Sequence, residues 1–194
     1  KKARHAKNPG KIWLKLFKLF LTKGGKFIKN NVENIIPNES KVTVSYKNEN
    51  FSFDKVVISA GSWSKNLTRK FGDDLPLDTE RGYHVLFNNY ELINRPLGWS
   101  QSGFYLVQLA EGLRAAGTVE IAGLLKPENK KRTKMIENQA RKLLPQLKEV
   151  KSTWLGFRPT MPDSLPVIGQ SLKNKNIIYG FGHQHIGWTL GAVT

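Results

Sequence analysis

The 194-residue sequence contains no cysteine. Disulfides, thiolate metal sites and cysteine nucleophiles are therefore excluded. It has no phosphate-binding P-loop and no Gly-x-Ser-x-Gly nucleophile elbow. It also lacks a strand, Gly-x-Gly-x-x-Gly turn and helix with a downstream acid, so the usual dinucleotide-binding βαβ unit is missing. The histidines are His5, His84, His183 and His185. Only the last two are close, and they lack a third ligand at a known metal spacing. Internal repeats and low-complexity segments are absent. Acids are scarce: none occurs before Glu33, and the chain carries a net charge of +16.

A hydrophobic content of 39% and an aromatic content of 10% are those of a globular protein with one good core or two small lobes. Most lysines are scattered and lack the interleaved aromatics of a stacking platform, so no nucleic-acid partner is expected. One stretch is different. Lys11–Leu21 reads as a basic amphipathic helix, with Lys11, Lys15 and Lys18 on one face. Ile12, Trp13, Leu16, Phe17 and Phe20 cover the other. It is too short and too charged to span a bilayer, and no cleavage-type pattern follows it. It can pack on its own domain or lie on an anionic membrane surface.

Gly24-Gly25 caps that helix. Lys26–Ile36, Lys41–Tyr46 and Phe51–Phe53 then read as a small antiparallel meander, with Pro37-Asn38 and Asn48–Asn50 as turns. Val56–Ala60 is a short apolar run expected as a buried strand of a parallel sheet. A helix-like segment, Trp63–Phe71, follows. Tyr83–Phe87, Phe104–Leu109 and Leu113–Ile121 read as strands of a larger sheet. Lys126–Leu147 is the clearest helix, with Pro127 near its start. Strands are expected again at Val150–Arg158, Pro166–Ile168 and Ile177–Tyr179.

The densest chemistry lies between Trp154 and Thr194. Arg158 sits on a strand-like segment stiffened by Pro159, Pro162 and Pro166. The run Ile177–Tyr179 breaks into Gly180, Gly182 and Gly187 and then into a helix. A strand, glycine loop and helix start present free backbone N–H groups to an anion. A fixed guanidinium beside such a loop suits a small carboxylate. Read from the residues alone, Arg158 is open to a structural ion pair, for instance with Asp163, and the loop to an ordinary corner.

RPTMPDSLPVIG followed by GFGHQHIGWTLG resembles the C-terminal signature of FAD-dependent D-amino-acid dehydrogenases, relatives of glycine oxidase, sarcosine oxidase and D-amino-acid oxidase. NNVENI (Asn30–Ile35), VVISAGSWS (Val56–Ser64), RGYHVLF (Arg81–Phe87) and GTVEIAGL (Gly117–Leu124) fit that family in the same order. The resemblance implies an α+β chain: the C-terminal part of a two-domain FAD-linked reductase fold, with a mixed or antiparallel substrate-domain sheet and remnants of the FAD-binding domain. It implies part of the FAD-binding domain at residues 1–78, the substrate domain at 79–158 and a return to the FAD-binding domain at 159–194. The N-terminal unit with its glycine motif and the end of the last helix are expected to be lacking, so these 194 residues alone should hold FAD weakly or not at all.

The same resemblance implies roles. Arg158 would clamp the substrate α-carboxylate, with Tyr105 and His185 shaping the substrate pocket. His185 stands where glycine oxidase-like relatives carry arginine, which leaves the preferred substrate open. Gly182, His183, Gly187, Trp188 and Thr189 match the loop at the flavin pyrimidine edge. Val32 matches a backbone contact to adenine, and Ala60 and Gly61 a turn beside the ADP moiety. Tyr83, His84 and Glu120 fit family patterns without an assigned role, and Arg81 and Arg114 read as surface charges.

The activity implied is oxidation of a D-amino acid or related secondary amine to an imino acid, then a 2-oxo acid, by hydride transfer to flavin N5. Electrons would pass on to a quinone or another acceptor. A cytoplasmic location is implied, with peripheral contact at the inner face of a bacterial membrane through Lys11–Leu21 as one use of the helix. The alternative is a non-catalytic basic module that binds anionic membrane or nucleic acid on a retained flavoprotein scaffold.

Overall fold

The structure, a computed structural model, describes residues 5–194. Its elements in chain order are α1 (Pro9–Thr22), β1 (Asn34–Pro37), β2 (Val42–Tyr46), β3 (Glu49–Phe53), β4 (Val56–Ile58) and α2 (Ser64–Thr68). There follow β5 (Asp78–Phe87), β6 (Leu97–Trp99), β7 (Phe104–Leu109), β8 (Gly112–Ile121) and α3 (Lys130–Leu143). β9 (Val150–Thr160), β10 (Val167–Gln170), β11 (Ile177–Phe181) and α4 (Gly187–Leu190) close the chain. Two compact units are formed, one from residues up to 28, 82–120 and 127–156, the other from 29–81, 121–126 and 157–194.

The first unit rests on a five-stranded sheet in the order β6-β7-β8-β5-β9. Alternation along the strands sends Tyr83, Val85, Phe87, Phe104, Leu106, Leu113 and Ala115 into one core with Ile136 and Ala140 of α3. α3 is shorter than the Lys126–Leu147 expected from sequence. Asn129 caps it by accepting from the Lys131 N–H, so Lys126–Glu128 lie before the first turn. Above the cap, the Tyr83 hydroxyl donates to Glu120 at 2.6 Å and accepts the Asn129 N–H at 3.2 Å.

The other face of this sheet is open. Tyr105 pairs with Ala116 and Val107 with Arg114, so Tyr105 and Arg114 share that face. His84 stacks there on Trp154, with ring centroids 5.1 Å apart. Burial and the neighbouring Arg114 charge push the His84 imidazole down to about 4.

α1 starts at Asn8, whose side chain accepts from the Lys11 N–H, and stops where Gly24 turns to φ +89°. Only glycine adopts that cap without strain. Helix and capping follow the sequence reading, but the packing does not. α1 buries none of its residues, and Trp13 and Leu16 are 57% and 60% exposed. No helix among the described residues is long and apolar enough to cross a membrane.

The second unit contains the antiparallel meander β1-β2-β3 and the sheet β10-β11-β4. β4 lies parallel to β11, pairing Val56 with Ile177 and Ile58 with Tyr179. The expectation of a parallel strand is met, but not that of full burial: Val57 is 60% exposed. The meander also starts later than expected, because Lys26–Glu33 form no ladder and the first strand begins at Asn34. Arg81 departs furthest from the sequence reading. It is fully buried, with its guanidinium over the Phe157 ring at 5.7 Å, and is no surface charge.

Candidate functional site

β4 and β11 run parallel, so the chain leaves both at the same edge of the sheet. Ligands of parallel sheets bind at that carboxyl edge. After β4, Ala60 leads into Gly61 at φ +56°, and a side chain there would meet no atom within 4 Å. Ligand backbone approach at Gly61 is therefore unobstructed. After β11, Gly182 turns at φ +85°; a Cβ on it would lie 3.1 Å from Met161.

The end of β9 joins these two turns. The Ser62 hydroxyl donates to the Phe157 carbonyl at 3.1 Å. Thr160 and His183 form an antiparallel bridge, and the Gln184 N–H donates to the Pro159 carbonyl at 3.0 Å. Arg158 lies between these attachments. The structure thus brings together Ala60, Gly61, Arg158, Gly182 and His183, which are far apart in sequence.

The alternative partner for Arg158 fails. Asp163 Oδ1 instead accepts the Leu165 N–H, a local turn bond. Arg158 Nη1 is buried without a hydrogen-bond partner among the described residues. Burial lowers the Arg158 pKa, while the charge of Glu80 opposes that shift. Glu80, on β5, was not singled out from the sequence. Its Oε2 is also buried without a hydrogen bond, and lies 3.9 Å from His185 Nδ1. The RGYHVLF segment begins one residue after it, which was the available signal.

The loop after β11 differs from the expected helix start. α4 has only four residues, so its macrodipole is small. What it offers is local: among the described residues, the N–H groups of Gly187 and Trp188 have no backbone acceptor. Thr189 donates its N–H to Ile186, and Gly187 is needed because a Cβ would meet His183 at 3.1 Å. His183 Nε2 is 3.0 Å from the Thr194 hydroxyl. Trp188 is 59% exposed. Val32 precedes β1, one residue before Glu33, whose N–H donates to Ser45. Tyr105 belongs to the first unit and is 64% exposed.

The chain is 37% identical to a D-amino-acid oxidase of Bradyrhizobium diazoefficiens over 99% of its own length and 47% of the relative's. It is 34% identical to D-amino acid dehydrogenase 2 of Mesorhizobium japonicum over 72% of its length and 34% of that protein's. The chain thus spans less than half the length of these relatives. The crystal structure of iminodiacetate oxidase from Chelativorans superposes with a TM-score of 0.81 at 15% identity, over 94% of this chain and 51% of that one. Glycine oxidase from Geobacillus kaustophilus gives 0.76 at 22% identity, over 86% and 46%. These two likenesses establish the fold. Residues 1–194 match the FAD-dependent oxidoreductase (DAO) family throughout, and the chain belongs to that family.

Proposed function

We propose that this chain supplies the carboxylate clamp and a flavin-contacting loop of an enzyme that oxidises D-amino acids, or related secondary amines, to imino and 2-oxo acids. One observation carries the reading: Arg158 holds a buried, unpartnered Nη1 on a strand end bonded to the glycine loop after β11. A buried donor without an acceptor is costly and is retained where a ligand supplies one. The guanidinium fork matches a carboxylate in two parallel bonds.

FAD, the family's cofactor, would supply the two-electron acceptor. The residues present suit part of it. Among the described residues the N–H groups of Gly187 and Trp188 have no backbone acceptor, and they would be available to carbonyl and nitrogen acceptors of a flat ring. Gly182, His183 and Thr189 shape that loop. Gly61 leaves open space for close approach, and Ala60 sets the turn before it. Arg158 orients the substrate, and positioning accounts for much of the rate in such a site. His185 shapes the substrate side, and Val32 contributes a backbone contact.

The test is flavin absorbance in the flavin-loaded protein. D-alanine or D-proline added without oxygen should bleach it. An unchanged spectrum with both amino acids would refute the reading.

A second reading rests on α1, whose lysines and exposed apolar side chains suit the surface of an anionic bilayer at the inner face of a bacterial membrane. Co-sedimentation with phosphatidylglycerol vesicles that weakens steeply with salt supports it; absence of binding at low salt removes it.

A further inference from the structure

We propose that Glu80 binds the substrate amino group opposite Arg158, so that the pair reads the two charges of an α-amino acid. The inference rests on the reading of Arg158 as a carboxylate clamp and extends it to the amine.

Two buried polar atoms near each other lack partners: Nη1 of Arg158 and Oε2 of Glu80. Their charges interact, since the Glu80 carboxylate acts on the Arg158 guanidinium. Yet among the described residues they form no ion pair with one another. A partly buried cation and anion, each with one inaccessible polar atom left unpaired, carry an uncompensated part of their desolvation cost. The cost is offset when a ligand presents an anion to the first and a cationic donor to the second. An α-amino acid does this, because its carboxylate and ammonium are borne on one carbon.

His185 also lies near Glu80, but its Nδ1 at 3.9 Å is too distant for a hydrogen bond. His185 is half exposed and leaves one side of Glu80 free. Arg81, the next residue on β5, points to the opposite side of the strand, over Phe157. The ligand class is therefore an α-amino acid with at least one N–H on its amine. 2-Hydroxy acids lack the charge, and N-acylated amino acids lack both the charge and the geometry.

Isothermal titration of the full chain with FAD kept in its reduced form, so that D-alanine is bound and not oxidised, tests this with D-alanine, D-lactate and ethylamine. D-Alanine should bind about tenfold or more tightly than D-lactate, as a charged hydrogen bond implies. Ethylamine should bind more weakly than D-alanine. Glu80→Gln should bring D-alanine down to the affinity of D-lactate, and Glu80→Asp should restore part of the difference. Equal binding of the two acids, with both lost in Arg158→Gln, overturns the role of Glu80 and leaves the carboxylate clamp standing. Failure of both acids to bind, or binding indifferent to Arg158→Gln, overturns the clamp and this inference with it. Should Glu80→Gln not fold, the D-alanine to D-lactate ratio of the unaltered chain decides.

Discussion

The backbone N–H of Gln184 donates to the Pro159 carbonyl at 3.0 Å, joining the loop after β11 to the strand end that carries Arg158. Gln184 adopts φ +47°, and its side-chain amide donates to Met161 O and Ser164 Oγ at 3.3 Å each. Three bonds thus hold a left-handed residue in place. Gln184→Val loses the two side-chain bonds and puts a β-branched residue where it is strained. We expect a loss of about 2 kcal/mol in urea unfolding. Gln184→Asn tolerates the left-handed conformation and should lose less.

Arg158→Lys keeps the charge but loses the fork. A point charge on a flexible stem cannot make two parallel bonds to one carboxylate. In the flavin-loaded enzyme the KM for amino acids should rise about tenfold or more. Unchanged KM in steady-state assays would remove Arg158 from carboxylate binding. A loss confined to kcat would point to positioning of a later step instead.

The legible part of this site was its local chemistry. The RP segment and the glycine loop pointed to the strand end at Arg158 and the left-handed turn at Gly182, because proline stiffening and such turns are read within a few residues. The parallel pairing of Val56–Ile58 was legible for the same reason, as an unbroken apolar run. Glu80 was not, because its charge acts on Arg158 across 78 positions, which no local window of sequence reports. Arg81 misled in the opposite direction. Its burial depends on Phe157, 76 positions away, and no window of sequence reports such a contact. α1 was legible as a helix from its spacing and caps, but that its apolar side stays exposed is a tertiary fact.

His84 predicts a pH dependence of stability. Its native pKa lies at about 4, lowered first by burial and then by the Arg114 charge, against an ordinary value near 6.5. Between those values the unfolded chain binds the proton and the native one does not. This contribution to stability is therefore present above about pH 6.5, is lost as pH falls towards 4, and changes no further below that. His84→Phe keeps a ring against Trp154 and removes the titration. Urea midpoints of the variant should fall less steeply than those of the parent between pH 6.5 and 4. Parallel curves would contradict the assignment.

Gly156, two residues beyond Trp154 on β9, bears on the same ring pair. A Cβ there would lie 2.0 Å from the tip of the Trp154 indole, so the ring must swing away. The tip of a side chain moves cheaply, and the backbone of β9 need not shift. What is lost is the cover over His84, now stacked on that indole at 5.1 Å. With burial relieved, water reaches the imidazole and its charged form becomes less costly. Gly156→Ala should therefore raise the His84 pKa from about 4 towards 6.5, read from the imidazole Hε1 resonance across a pH titration. The Arg114 charge remains in place, so the return should stop short of the ordinary value. A His84 titration unmoved by the substitution would show that Trp154 does not shield it.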